Sequence, residues 1–277
     1  FEPVPAGSLE GGRVHVIVHG WAPGWFDGAP PTEPSWAARR DGRAFDPWMH
    51  HLAAAIHARD PGATVLFYSW LDDAATSGNL FAQRRAFART SLHGETLARA
   101  LHRALDAGFH EAGGQVHLIG HSMGARVVTI AAVRAPRPPR HLTLLDAPEA
   151  EMTALTNTRA HLAPLLRQLP LGRGPGRTFV DNYVSQMGQS YRFEPGLAAV
   201  VDVETSPPYG TFQMGPRHVW AAELYAATAE RAFGFGWSPL LGEPAPRGCY
   251  RQPFGEVALE PRCEGSTPIA HASRAPD

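Results

Sequence analysis

Short runs of apolar and β-branched residues recur along the chain, and segments with helical spacing separate them. Six such runs predict strands, at 14–18, 63–70, 115–119, 141–145, 177–184 and 198–203. Helical spacing predicts helices over 45–59, 94–109, 126–134, 151–169 and 219–232, with 22–47 as a loop and 71–92 as loop or broken helix. Because the strands are continuously apolar, both faces of their sheet must be covered. The order therefore predicts an α/β fold, with a mostly parallel central sheet and helices on both faces.

Composition narrows the class of protein. Of the 277 residues, 44% are hydrophobic, which is enough for a sizeable core, and the formal net charge of −1 shows no basic excess of the kind that nucleic-acid binders carry. No apolar run is long enough to cross a bilayer. The sequence thus predicts a globular protein with no nucleic-acid partner.

Two cysteines, Cys249 and Cys263, lie near the C-terminus. They are either two free thiols or one disulfide that closes a short loop, and an exported protein would favour the disulfide. The compartment stays open, with a secreted or periplasmic location slightly favoured over a cytoplasmic one.

Residues 120–124 read Gly-His-Ser-Met-Gly and fit the G-x-S-x-G nucleophile elbow. The motif follows a predicted strand and precedes a predicted helix, as a nucleophile elbow requires. The glycines permit a tight turn, which would hold Ser122 in a strained conformation with its hydroxyl exposed. The N–H of Met123 would then face a developing oxyanion. A coincidental glycine-rich turn is the alternative.

A serine nucleophile needs a base and an acid that orients the base. His218 lies just before the last helix and fits the chain order Ser, acid, His of the α/β-hydrolases. Of the other histidines, His19 and His121 flank the proposed site, where they would shape loops. Five more fall on predicted helices: His50, His51, His57, His102 and His110. For the acid, Asp146 at the end of one predicted strand competes with Asp181, which lies in or just past the following strand, and Asp202 is a weaker third candidate. In most α/β-hydrolases the acid follows the later strand, which favours Asp181.

Five segments in one order resemble the pancreatic-lipase-like family of serine esterases, within the α/β-hydrolase superfamily. They are VIVHGW (16–21), ATVLFYSWL (63–71), VHLIGHSMGARV (116–127), LTLLDAPEAE (142–151) and RTFVDNYVS (177–185). The resemblance covers about residues 14–230. It implies an α/β-hydrolase catalytic domain, which we place at 1–235, and leaves 236–277 as a Pro-rich C-terminal tail packed on the same domain.

The resemblance also implies roles for individual residues. The family's acid is the aspartate of the L-D-P-A segment, which makes Asp146 the triad acid and leaves Asp181 as the alternative. The residue after H-G supplies the second oxyanion donor, which is the backbone N–H of Trp21 here, beside that of Met123. The expected activity is hydrolysis of carboxylic esters, as in a lipase or esterase, through an acyl-enzyme. It needs no cofactor and no metal.

Several alternatives remain open at this point. The same triad could serve a thioesterase, an amidase or an acyltransferase. A non-catalytic hydrolase-fold binding protein is a third class. The aromatic residues Trp25, Phe26 and Trp36 could form a lid or pocket wall, or simply pack on the body. Residues 80–87 (LFAQRRAF) are either a basic and aromatic contact patch or an exposed helix turn. The expected partner is a small-molecule or lipid ester, with room for a transient lipid-interface contact, and the oligomeric state stays open.

Overall fold

A computed structural model describes residues 12–23, 47–76, 80–105, 107–111, 113–148, 162–185, 200–206, 214–230, 249–251 and 260–261. The strands are β1 (Arg13–Val18), β2 (Ala22–Pro23), β3 (Thr64–Tyr68), β4 (Ala75–Thr76), β5 (Gln115–His121), β6 (His141–Leu145), β7 (Phe179–Val184), β8 (Val200–Glu204), β9 (Cys249–Arg251) and β10 (Glu260–Pro261). The helices are α1 (Pro47–Arg59), α2 (Leu71–Ala74), α3 (Leu80–Ala104), α4 (Ala107–Glu111), α5 (Met123–Arg134), α6 (Leu162–Leu166) and α7 (Met214–Glu230).

One twisted sheet organises the described residues. Its strand order is β10-β9-β8-β7-β6-β5-β1-β3, and every neighbouring pair is parallel except β9 and β10. The short strands β2 and β4 pair separately, in parallel. All six strands predicted from the sequence are present, and the prediction of an α/β fold with a mostly parallel sheet is confirmed.

Helices cover both faces of this sheet. On one face, α3, α5 and α6 bury alternate strand residues such as Val16 and Leu118. On the other face, α1 and α7 bury the intervening residues, among them Ile17 and Ile119. The strands therefore lose both faces to packing, which is the physical reason for their continuously apolar sequences. None of the helices in the described ranges is both long and apolar enough to cross a bilayer.

The sequence prediction missed the first half of α3. We expected loop or broken helix through residue 92, but the helix begins at Leu80 and runs for 25 residues. Its inner side is buried at Ala86, Phe87 and Thr90, and Gly94 lets it approach α5 closely, since a Cβ there would lie 2.6 Å from the Cβ of Ile130. Arginines and a central glycine broke the apolar pattern, whereas tertiary packing on α5 stabilises the helix.

The C-terminal tail contributes to the sheet. Strand β9 extends the parallel order beside β8, and β10 closes the edge in antiparallel orientation. We expected this tail to be a Pro-rich segment packed on the same domain and predicted no strand there, because strands of two or three residues leave no pattern in the sequence. The division at residue 235 stays a prediction. Residues 151–161 of the predicted helix 151–169 lie outside the described residues, and the rest of it contains α6.

Candidate active site

Ser122 stands at the junction of β5 and α5, between the last strand residue and the first helical one. Its backbone has φ 54° and ψ −129°, a conformation that non-glycine residues rarely adopt. Its N–H donates to the carbonyl of Leu145 on β6 at 2.8 Å, which ties the junction to the neighbouring strand. The side chain makes no helix cap and is 6% exposed. The hydroxyl is therefore not committed to stabilising its own helix.

The glycines around Ser122 are required by close backbone approach. A Cβ on Gly124 would clash with the carbonyl oxygen of His19 and would lie 2.7 Å from that of Val18. A Cβ on Gly20 would lie 2.6 Å from the Cβ of Ser122. The segment after β1 and the first turn of α5 thus touch backbone to backbone, and side chains would drive them apart.

Asp146 and His218 are in direct contact. Asp146 follows β6 with a positive φ of 48° and is fully buried. His218 lies in the first turns of α7, and its Nδ1 is 2.6 Å from Asp146 Oδ2. The second carboxylate oxygen, Oδ1, accepts the N–H of Ser185 at 2.7 Å. Because an ionised carboxylate only accepts, the proton of this contact sits on Nδ1, which leaves the His218 Nε2 lone pair available as a base.

Ser185 braces both members of this pair. In addition to its N–H bond to Asp146, its hydroxyl donates to the carbonyl of Arg217 at 2.6 Å, one residue before His218. We missed this residue in the sequence, although it ends the FVDNYVS segment. A serine after a strand carries no distinguishing local signal, so its role depends on how α7 returns over β7.

His121, the residue before Ser122, packs against the proposed base. Its ring centroid lies 4.7 Å from that of His218, and its Nε2–H donates to the His218 backbone carbonyl at 3.0 Å. Burial, together with the nearby His218, lowers the pKa of His121 to about 3. His121 is therefore neutral at physiological pH and positions α7 without adding a charge. We had expected His121 only to shape a loop.

The segment after β1 is held by a histidine of defined tautomer. The backbone N–H of Trp70 donates to His19 Nε2 at 3.1 Å, so Nε2 is the acceptor and Nδ1–H donates to the Gly20 carbonyl at 2.7 Å. The indole N–H of Trp70 donates to the His19 carbonyl at 2.8 Å, and the two rings stack. In a trans peptide unit the C=O and N–H point in opposite directions, so fixing the Gly20 carbonyl also fixes the N–H of Trp21.

Asp181 lies elsewhere, on β7 beneath α7. Its Oδ1 accepts from His141 Nε2 at 2.8 Å and from the hydroxyl of Thr143 at 2.6 Å. His117 stacks on His141, with centroids 3.8 Å apart, and contacts His15 through a 3.1 Å bond between their Nδ1 atoms. The structure thus brings Asp146, and not Asp181, to His218. It also reveals a buried row of histidines across the sheet that the sequence reasoning missed.

The other candidates are placed as follows. Asp202 accepts from the side-chain amide of Asn182 at 2.8 Å. Trp25, Phe26, Trp36 and Cys263 lie outside the described residues, so the lid and the disulfide stay predictions. Within the described part of the chain, no group of three or more His, Cys, Asp or Glu side chains is arranged to hold a metal ion. A cavity between α3 and the start of β5, lined in part by Leu105, lies at the opposite end of that strand from Ser122.

Comparisons with known proteins identified a group of similar sequences. The chain is similar to lipoprotein lipases. Over 229 residues, 80% of this chain, it is 24% identical to lipoprotein lipase of Bos taurus, 25% to that of Homo sapiens and 23% to that of Neovison vison. It spans 39% of the length of these relatives, and no protein-family model matches it. At this low identity, the similarity supports a lipase-like hydrolase of α/β fold.

Proposed function

We propose that this protein is a serine carboxylic-ester hydrolase of the lipase or esterase type. The observation that supports it most is the Asp146–His218 contact of 2.6 Å at the same sheet edge as the strained Ser122. Leu145 connects the two sites physically, because its carbonyl accepts the Ser122 N–H and Asp146 follows it directly. The similarity to lipoprotein lipases adds support for a lipid ester as substrate.

In the proposed reaction, His218 Nε2 takes the proton of Ser122 as the hydroxyl attacks the ester carbonyl. The Ser122–carbon bond forms, and the carbonyl electrons move to oxygen. The N–H groups of Trp21 and Met123 hold this oxyanion, and the N-terminus of α5 favours its negative charge. Each such donor typically contributes about 3 kcal/mol to the transition state. His218 then protonates the departing alcohol, and water cleaves the acyl-enzyme by the same steps. The reaction uses neither a cofactor nor a metal.

The neutral state of His121 supports this proton cycle. His218 must become a cation during attack, and a second cation 4.7 Å away would oppose it. At an effective dielectric constant of about 20, two charges at that distance repel by about 3 to 4 kcal/mol. Because burial keeps His121 uncharged, this cost is avoided, and Nδ1 of the imidazolium faces the Asp146 carboxylate.

The test is hydrolysis of p-nitrophenyl esters of increasing acyl length by four proteins: wild type, Ser122→Ala, Asp146→Asn and Asp181→Asn. We expect Ser122→Ala to lower kcat by about 10⁵ to 10⁶. We expect Asp146→Asn to lower it by about 10⁴, since an amide favours the wrong tautomer of the base. Asp181→Asn should keep kcat near wild type while losing stability, because Asp181 accepts two buried hydrogen bonds.

Covalent labelling by a fluorophosphonate reports the activated serine independently of ester turnover, and circular dichroism of each variant is the control for folding. Wild type and Asp181→Asn should label, and Ser122→Ala should not. If Asp181→Asn folds but neither turns over ester nor labels, the acid is Asp181 and our triad is wrong. If wild type does not label at all, the protein is a non-catalytic binding protein and our proposal of an enzyme is wrong. Matched thioester and amide substrates distinguish an esterase from a thioesterase, amidase or acyltransferase with the same triad.

A further inference from the structure

We propose that the outer face of α3 docks on an anionic lipid–water interface. We define the α3 outer face by six exposed residues: Phe81, Arg84, Arg85, Leu92, Arg99 and Arg103. The choice of a lipid surface as occupant rests on the proposed hydrolysis of lipid esters. The composition of the face does not depend on that function.

Two exposed apolar side chains mark this face. Among the described residues, Phe81 and Leu92 are the large hydrophobic side chains that remain exposed, at 79% and 44%. They are eleven residues apart on one helix, so by helical geometry they lie about 20° apart around its axis and about 16 Å along it. Single exposed apolar side chains are common on protein surfaces, so the docking proposal depends on the charge that surrounds this pair.

The charge on this face of α3 is positive, although Arg89 of the same helix pairs with Asp73 of α2 at 3.5 Å. Helix α3 contains five arginines and one glutamate, in a chain whose net charge is −1. Arg85, Arg99 and Arg103 lie within about 40° of the Phe81 direction, between or beyond the apolar pair. Arg99 also pairs with Glu95 at 3.9 Å, an exposed contact that water and salt weaken. A face of guanidinium groups with apolar side chains in line fits a surface of phosphate headgroups above acyl chains.

The helix that carries this face packs on α5, and its first turns lie near the proposed active site. On its inner side, Phe87 lies under the Arg126 guanidinium, 4.9 Å from the ring centroid, one turn into the helix that follows Ser122. The start of α3 also packs against β4, whose partner β2 directly follows Trp21. The Phe81 end of the face is therefore on the side of the molecule where an ester must enter, so docking would bring the proposed site to its substrate.

The test is co-sedimentation of the Ser122→Ala protein with vesicles of phosphatidylcholine alone or with roughly one third phosphatidylglycerol. Because Ser122→Ala cannot turn over ester under our proposal, the assay reads binding without hydrolysis. We expect binding to the anionic vesicles, weakened strongly between about 0.05 M and about 0.5 M NaCl. Replacing Arg84, Arg85 and Arg103 together by Gln should lower the partition coefficient roughly fivefold per arginine. Phe81→Ala should lower it about tenfold or more.

A matched control removes the same charge elsewhere. Arg134, Arg137 and Arg167 are exposed and lie outside α3, and their triple Gln variant should bind like the parent. Both triple variants, made with Ser122 intact, should hydrolyse a short soluble ester at the wild-type rate.

Three outcomes would overturn the docking proposal. In the first, the two triple variants weaken binding equally, so net charge and not this face is responsible. In the second, the protein binds neutral and anionic vesicles alike. In the third, it binds heparin or RNA but neither vesicle, which makes the partner a soluble polyanion. Failure of wild type to hydrolyse the soluble ester, with vesicle binding intact, contradicts the proposed function and leaves the docking surface standing.

Discussion

We expect the buried histidines to lower the free energy of unfolding of this protein at acidic pH, and a variant of His15 allows that decrease to be measured. His15 lies on β1 beneath α1 and α7, is fully buried and contacts His117. Burial lowers the pKa of His15 to about 3, and the nearby His141, Arg13 and His57 act in the same direction, while Asp60 opposes them. Burial also lowers the pKa of His117 well below its ordinary value.

The sign and size follow from linkage. The unfolded chain protonates each histidine near pH 6.5, whereas the folded chain keeps His15 neutral down to about pH 3. His15 therefore does not lower the free energy of unfolding above about pH 6.5, and that free energy decreases as the pH falls below this value. Each pH unit costs about 1.4 kcal/mol per histidine, so His15 alone costs roughly 3 kcal/mol at about pH 4.5. Domains of this kind are stable by about 5–15 kcal/mol, and His117 adds a loss of the same sign.

We predict that His15→Gln flattens this dependence. The variant loses the hydrogen bond to His117 at every pH, so it starts less stable, but it no longer carries this proton-binding group. The difference in unfolding free energy between wild type and His15→Gln should shrink by roughly 3 kcal/mol between about pH 7.5 and about pH 4.5. Urea unfolding followed by circular dichroism at several pH values measures it, provided that the m-values agree.

The control is His102→Gln, which removes an exposed histidine of α3 whose side chain keeps its water contacts on folding. Its stability should follow wild type at every pH. Parallel lines for wild type and His15→Gln would refute the reasoning, because His15 would then bind its proton equally in the folded and unfolded chains.

Two further changes probe the contacts around Ser122. Gly124→Ala places a methyl group against the His19 carbonyl and should cost about 1–3 kcal/mol of stability and most of the proposed esterase activity. The control is Gly12→Ala, whose added methyl group would have its nearest neighbour 3.7 Å away and should cost little stability. Equal unfolding curves for the two variants would contradict the close packing at Gly124. Trp70→Phe removes the indole donor to the His19 carbonyl and should lower stability by about 1 kcal/mol and kcat about tenfold. An unchanged kcat at the reduced stability would show that this hydrogen bond is structural and does not position Trp21, the proposed oxyanion donor.

Some errors in the sequence reading have a common physical cause. Local patterns found the strands because each is buried on both faces and must be apolar throughout. The first half of α3 was not predicted because its apolar residues are interrupted by exposed arginines. Its stability comes from packing on α5, where Gly94 meets Ile130. Strands β9 and β10 were not predicted because two or three residues are too few to show the alternation of apolar and polar side chains. Their stability comes from pairing with β8 and with each other.

The sequence by itself determined the alternating α/β order and the position of Ser122 between strand and helix, because burial periodicity and glycine at a tight turn are local requirements. It left Asp146 and Asp181 as competing partners of the base, since each lies in a strand after Ser122 or directly at the end of one. Only the tertiary structure distinguished their positions: the turn after β6 directs Asp146 toward the start of α7, while Asp181 points under that helix to His141. That difference depends on which face of the sheet a side chain leaves and on how a distant helix packs, and neither is encoded within the segment itself.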